Sequence, residues 1–455
     1  MEEGQKQSLE EVRGRWRIIK FTLPMVITIV FISAYGVVDG AFISNFIGTN
    51  ALASLNILMP AYSLLTALGF MFSTGGSAYV ANLLGQKRDD EARRSFSEIT
   101  VFAVIVSVIL MVSSFILMEP IARLLGADDV LIGGSVEYGR ILALFVPFLM
   151  LQFIFIQFLI VAGKPGMSLA SSVAGGMTNL TLDYILIVQC DMGLTGAAIA
   201  SGLGSLVPTA IGIIYFLNRK RTLHFTRPST DKRVITKTCL NGVSEMVSEL
   251  SAAIVILSYN LTMMRFLGPD GVSAITIISY VQFLAMSAII GYSNGIAPVM
   301  SYSHGADDRK RMFELFRTSM GFVIVVSITI FALMEFLTEP IAGLFAQSSE
   351  NVMNIAVNGA KVFSVGFLMM GVNLYASSLF TSLSNGPVSA LISFVRSLIL
   401  LAPMVIVLPL LFGIDAVWYA FPLTEGLTMI LSLTLIYRLN SRYGYLDAIK
   451  HSKDQ

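Results

Sequence analysis

Glu119-Pro-Ile-Ala-Arg-Leu-Leu-Gly126 returns 220 residues later as Glu339-Pro-Ile-Ala-Gly-Leu-Phe-Ala346, with five of eight positions identical. In the same register Phe46-Ile-Gly48 meets Phe266-Leu-Gly268, and Gly75 and Gly85 meet Gly295 and Gly305 ahead of a charged loop in each half. Gly193-Leu-Thr-Gly196 aligns with Gly413-Ile-Asp-Ala416, and Gly163-Lys-Pro165 meets Asn385-Gly-Pro387 after a slip of two residues. Isolated matches among small residues are expected in apolar helices, but five landmarks in one order are not. The chain is a duplicated unit.

Outward from each octapeptide the sequence is apolar. Val101–Met118 and Phe322–Leu337 precede the two copies, and Ile141–Ala162 and Leu398–Phe412 are similar runs. Such runs reach the roughly 20 residues that carry a helix across a ~30 Å hydrocarbon core. A barrel would instead show alternating segments of about ten residues. With 55% hydrophobic and 13% charged residues and a mean hydropathy of +0.76, the chain lacks the charge that a soluble protein of this size carries.

Breakers and charge clusters predict twelve spans: 17–47, 51–84, 95–118, 137–162, 166–189, 194–217, 235–267, 271–303, 312–337, 353–383, 387–412 and 414–438. Six per half is an even number, so both halves enter the membrane in the same direction. The expected fold is an all-α integral membrane protein, two parallel-repeat six-helix lobes related by an axis along the membrane normal. The first lobe is assigned to 1–220, a cytoplasmic linker to 221–234, and the second lobe to 235–455. The substrate site is expected between the lobes, near the midplane.

Lys and Arg set the orientation. A cytoplasmic N-terminus puts 25 of the 30 basic residues on the cytoplasmic side, leaving Arg123, Arg140, Arg265, Lys361 and Arg396. Both termini are therefore expected in the cytoplasm. The apolar stretch after the charged N-terminal residues is too long for a signal-peptide core and reads as a retained first helix. A net charge of +1 offers nothing to nucleic acid. Cys190 and Cys239 fall on opposite sides of the membrane in this topology, which argues against a disulfide.

Ionisable groups inside hydrocarbon cost at least ~2.5–3.5 kcal/mol each on insertion scales, so each calls for a reason. At ~1.5 Å rise per residue, Asp39 in helix 1, Asn179 and Asp183 one turn apart in helix 5, and Ser201 in helix 6 converge on one level in the outer half of the first lobe. Two neighbouring carboxylates hold a proton between them; alternatively the oxygens of Asp39, Asn179 and Asp183 would ligate Na⁺. The competing reading is that these groups only cap neighbouring backbone. Glu249 falls near the midplane of helix 7 and Glu245 one turn toward the cytoplasm, where carboxylates would attract a cationic solute. Tyr35, Gln157, Tyr280 and Gln282 complete the expected substrate cavity. Arg396 and Glu425 are expected to pair within the membrane in a structural role. No metal cluster, nucleophilic triad or phosphate loop is visible, so neither an enzymatic role nor a cofactor is expected.

These motifs, with the helix-7 opening Gly242-Val-Ser-Glu-Met-Val-Ser-Glu249, resemble the multidrug and toxic compound extrusion (MATE) family, in particular its MepA-like bacterial branch. The resemblance covers nearly the whole chain. It implies efflux of cationic amphiphilic drugs by antiport against H⁺ or Na⁺ through alternating access, from a monomer embedded in the cell membrane. It also implies that Asp39, Asn179, Asp183 and Ser201 stand where family members bind the coupling cation. Ser244 replaces the Pro that many relatives carry early in helix 7, and the helix-7 acids are offset from the glutamate of the branch with a second-lobe Na⁺ site, so the ion stays open. A lipid-linked oligosaccharide flippase of the same superfamily is the alternative, although its cavity would be cationic; a membrane-embedded enzyme lacks a catalytic constellation.

Overall fold

The computed structural model describes residues 9–228, 231–345 and 350–446; within them the side chains of residues 36–41, 44–45, 49–50, 337 and 341–345 lie outside the description. The first half runs α1 (Arg15–Phe42), α2 (Thr49–Gly85), α3 (Asp89–Leu124), α4 (Ile132–Leu144), α5 (Val146–Val161), α6 (Pro165–Asp183) and α7 (Gly193–Leu217). The second runs α8 (Lys232–Gly305), α9 (Arg309–Phe345), α10 (Glu350–Ser364), α11 (Phe367–Ser382), α12 (Gly386–Phe394), α13 (Ala402–Phe412) and α14 (Ala420–Tyr443). α8 breaks at Gly268 into two spans. α4 and α5 form one span bent by 53°, α10 and α11 another bent by 55°. α12 continues through the π-helical turn Val395–Leu401 into α13. With α6 continued by the π-helical turn Tyr184–Gln189, the described residues form twelve helical spans, six in each half, as expected.

The repeated glycines do two jobs. Gly48 (φ 119°) and Gly268 (φ 65°) join the first two spans of each half, and Gly193 (φ 54°) and Gly413 (φ 88°) open the last span of each. Positive φ is strained for any residue with a Cβ, which explains glycine at these joints. Gly75, Gly85 and Gly305 instead allow backbones to touch. A Cβ on Gly75 would collide with the Thr238 carbonyl oxygen, one on Gly85 with that of Tyr302, and one on Gly305 with that of Asn82. Small residues at such crossings let helices pack without a solvophobic drive.

These contacts place the seam between the lobes at the end that bears the N-terminus. From that end α1 and α2 run against both halves of α8 as far as Ser33 Oγ and Ser287 Oγ, 2.5 Å apart, and Gln157 Nε2 donates to the Asn294 carbonyl at 2.9 Å. Core packing follows the same division. One hydrophobic cluster crosses the seam, joining Phe21, Val80 and Phe155 to Tyr292, Val299 and Leu379. Toward the other end the cores separate. One lies in the first lobe around Leu55, Met118 and Tyr138; the other lies in the second lobe around Phe363, Trp418 and Phe421.

Candidate functional site

The first lobe is hollow. A cavity of about 470 Å³ opens among its own helices, lined from α6 by Ser172, Gly175, Gly176 and Asn179 and from α7 by Ser201, Gly204, Ser205 and Pro208. The spacing of three to four residues puts each set on one helical face, and their small side chains leave the space unfilled. The opposite walls come from Tyr35 on α1, Tyr62 on α2, Tyr138 on α4 and Gln152 and Phe153 on α5. In the 220-residue register the second lobe replaces Ser201 and Ser205 with Phe421 and Glu425, each completely buried. Bulk and charge there occupy the space that small residues leave free in the first lobe.

Two of the expected cation residues, Asn179 and Ser201, line the polar end of the cavity. Asn179 Nδ2 lies 3.5 Å from Ser201 Oγ, and Asn179 Oδ1 is buried without a hydrogen-bond partner among the described residues. An amide oxygen left so in a low-dielectric interior costs roughly 1–3 kcal/mol, unless a ligand or water takes it. Asp183, one turn on, is 0% exposed and ends α6 where the π-helical turn Tyr184–Gln189 begins. Asp39 lies one turn before a second π-helical turn, Ile43–Ile47, and the two turns touch. Such turns interrupt regular pairing and recur at functional sites. The Asp39 side chain itself lies outside the described residues. Tyr35, one turn before it, faces the cavity beside Phe31, with 5.7 Å between ring centroids. Among the described residues no group of three or more His, Cys, Asp or Glu side chains is arranged to hold a metal.

The other expected cavity residues stand elsewhere. Thr66 Oγ1 lies 3.5 Å from Glu249 Oε1, which brings this half-buried carboxylate against the first lobe. Glu245, also half-buried, lies one turn nearer the seam. Tyr280 is half exposed and Gln282 half-buried, and neither lines the first-lobe cavity. Gln157 is 2% exposed and its amide is committed to Asn294, so it ties the lobes together rather than facing the hollow. Gln152, five residues earlier, is the one that faces it. Five residues turn a helix through about 500°, so the two amides point about 140° apart and only one of them can face a given space. Two Gln residues in an otherwise apolar helix were the available signal, but helical spacing alone does not choose between them.

Arg396 and Glu425 do pair. Arg396 Nε lies 2.7 Å from Glu425 Oε1, Asn373 Nδ2 donates to Glu425 Oε2 at 2.7 Å, and Ser432 Oγ donates to Asn373 Oδ1 at 2.9 Å. The second lobe thus carries its own cation, fully neutralised inside the bundle.

Comparison with known proteins agrees with this architecture. A family model described as MatE matches the chain twice, at residues 24–185 and 246–407, two stretches 222 residues apart. Multidrug export protein MepA of Staphylococcus saprophyticus is 25% identical over 435 residues, covering 93% of this chain and 94% of that protein. The MepA of Staphylococcus aureus strain NCTC 8325 is 23% identical over 430 residues, with the same coverage. Among solved structures, an outward-facing multidrug resistance MATE transporter of the MOP superfamily superposes with a TM-score of 0.91 at 19% identity, over 97% of this chain and 100% of that one. A MOP superfamily transporter from Pyrococcus furiosus, described by the reverse polarity of its binding pocket, superposes at 0.89 and 19% identity with the same coverage.

Proposed function

The chain belongs to the MatE family, and from that premise we propose that it exports cationic, amphiphilic organic compounds by antiport against H⁺ or Na⁺, through alternating access of its two lobes. One observation carries the reading: the first lobe is hollow, with an amide oxygen that has no hydrogen-bond partner among the described residues one turn from a buried carboxylate, whereas Phe421 and Glu425 are buried at the corresponding positions of the second lobe. A cavity of about 470 Å³ has the size and mixed lining of small-molecule sites.

In the proposed cycle Asp183, Asn179, Ser201 and Asp39 take the coupling proton or Na⁺, and occupancy there disfavours the cation-loaded drug state. Tyr35, Gln152 and Phe153 supply aromatic and amide surface to a flat organic cation. Glu249, at the point where the lobes part, holds positive charge on its way between them, with Glu245 below it. Ion entry down the gradient drives release; the emptied protein then opens at the seam end, and drug binding expels the ion. One elementary charge moving inward at 100 mV supplies about 2.3 kcal/mol. The excess of Lys and Arg at the seam end supports a cytoplasmic placement of both termini. The protein works in the cell membrane as a monomer of two lobes, 1–220 and 235–455, with no cofactor beyond the transported ion.

Dye efflux from proteoliposomes under separately imposed H⁺ and Na⁺ gradients tests the reading. Export of a cationic dye driven by one of them is expected. Absence of export under either gradient, from protein that binds the dye, would reject antiport.

A further inference from the structure

Residues 9–14 precede α1 and so belong to the first lobe by connectivity, yet their contacts are with the second. Arg311, near the start of α9, is 3% exposed; its guanidinium donates from Nη2 to the Leu9 carbonyl and to the Val12 carbonyl at 3.2 Å. Arg13 pairs with Asp308 at 3.1 Å, the Gly14 amide donates to Glu314 Oε1 at 2.8 Å, and Tyr302 OH donates to Glu10 Oε2 at 3.4 Å. Leu9 and Val12, 4% and 3% exposed, enter the hydrophobic cluster that crosses the seam, together with Met312 and Leu315.

We infer that residues 9–14 are a latch that holds the lobes together at the seam end, with Arg311 as its keystone. This inference rests on the alternating-access reading above. An arginine beside a membrane surface is ordinarily left in water. Here it is desolvated, and its return is a pair of carbonyl oxygens from the other lobe. Separating the lobes at this end withdraws both oxygens, exposes Leu9 and Val12 and breaks the Arg13–Asp308 pair. The two carbonyl bonds, the burial of Leu9 and Val12 and the Arg13–Asp308 pair favour the closed state against the desolvation of Arg311, whose Nε is buried without a hydrogen-bond partner among the described residues, so the latch biases the conformational equilibrium by its own differential contacts.

The test uses the full chain in lipid nanodiscs, with Cys190 and Cys239 replaced by Ser and spin labels at Asp90→Cys and Lys310→Cys, one on each lobe at the seam end. Electron–electron distances are measured at high and low pH, with and without Na⁺ and a cationic dye. Arg311→Ala and Leu9→Asp should each raise the ratio of long to short distances by tenfold or more. Arg13→Gln, an exposed change with no folding burden, should raise it about twofold. Distance distributions that respond to dye or pH but are unchanged in all three variants would overturn the latch and leave alternating access standing. Distances that never change under any condition would overturn alternating access and the latch with it.

Discussion

Gly85 and Gly305 are counterparts in the two halves and meet across the seam in matching ways: a Cβ on Gly85 would strike the Tyr302 carbonyl, and one on Gly305 would strike the carbonyl of Asn82. Asn82 and Tyr302 are themselves 220 residues apart, so the contact has the self-complementary form of a two-fold interface. At the seam the duplication is kept in the contacts as well as in the sequence.

Leucine at Gly85 or Gly305 therefore forces the two helices apart where both surfaces are backbone. Overpacking of this kind costs about 1–3 kcal/mol. Either variant should lower the melting temperature of the detergent-solubilised protein and raise the long-distance population of the seam-end spin labels. Wild-type values in both measurements would place the seam elsewhere.

Asp183→Asn should abolish ion-driven efflux in proteoliposomes while the protein keeps its melting temperature and still binds dye. Undiminished export would remove Asp183 from the coupling site.

Gln152 and Gln157 provide an internal contrast. Gln152→Leu should weaken dye binding, measured by fluorescence titration, and leave the seam-end distances alone. Gln157→Leu should do the reverse, because it deletes the bond to Asn294 and does not alter the cavity wall. The same phenotype from both would dissolve the distinction between cavity and seam.

Arg396 and Glu425 should be far more sensitive singly than together. Removing one partner of a buried pair costs about 3–5 kcal/mol, because the other charge is left uncompensated. Arg396→Met and Glu425→Gln should each cause a large loss of thermal stability, and the double variant should recover most of it. Additive losses in the cycle would show that the two side chains act independently.

Much of the architecture was legible because membrane insertion imposes strong local rules. Span length, the requirement that backbone bonds close within each helix, and the 220-residue register together dictated two lobes of six helices. The break between helices 7 and 8 was readable as well, since Phe266-Leu-Gly268 mirrors Phe46-Ile-Gly48. The level of Asn179, Asp183 and Ser201 followed from the rise per residue, and Asn179 does meet Ser201. The bend at Phe145 has its signal in Pro147, in the first turn of α5, whereas the one near Gly366 has no proline beside it and does not interrupt the apolar run.

Sequence alone determined the class and the repeat, because these depend on the order of residues along the chain. Tertiary structure alone decided that the hollow lies inside the first lobe, that Gln152 rather than Gln157 faces it, and that Glu249 reaches Thr66. A cavity is the space that several helices fail to fill together, and a side chain's direction around its own axis does not say which neighbour stands opposite. Packing supplies that missing coordinate.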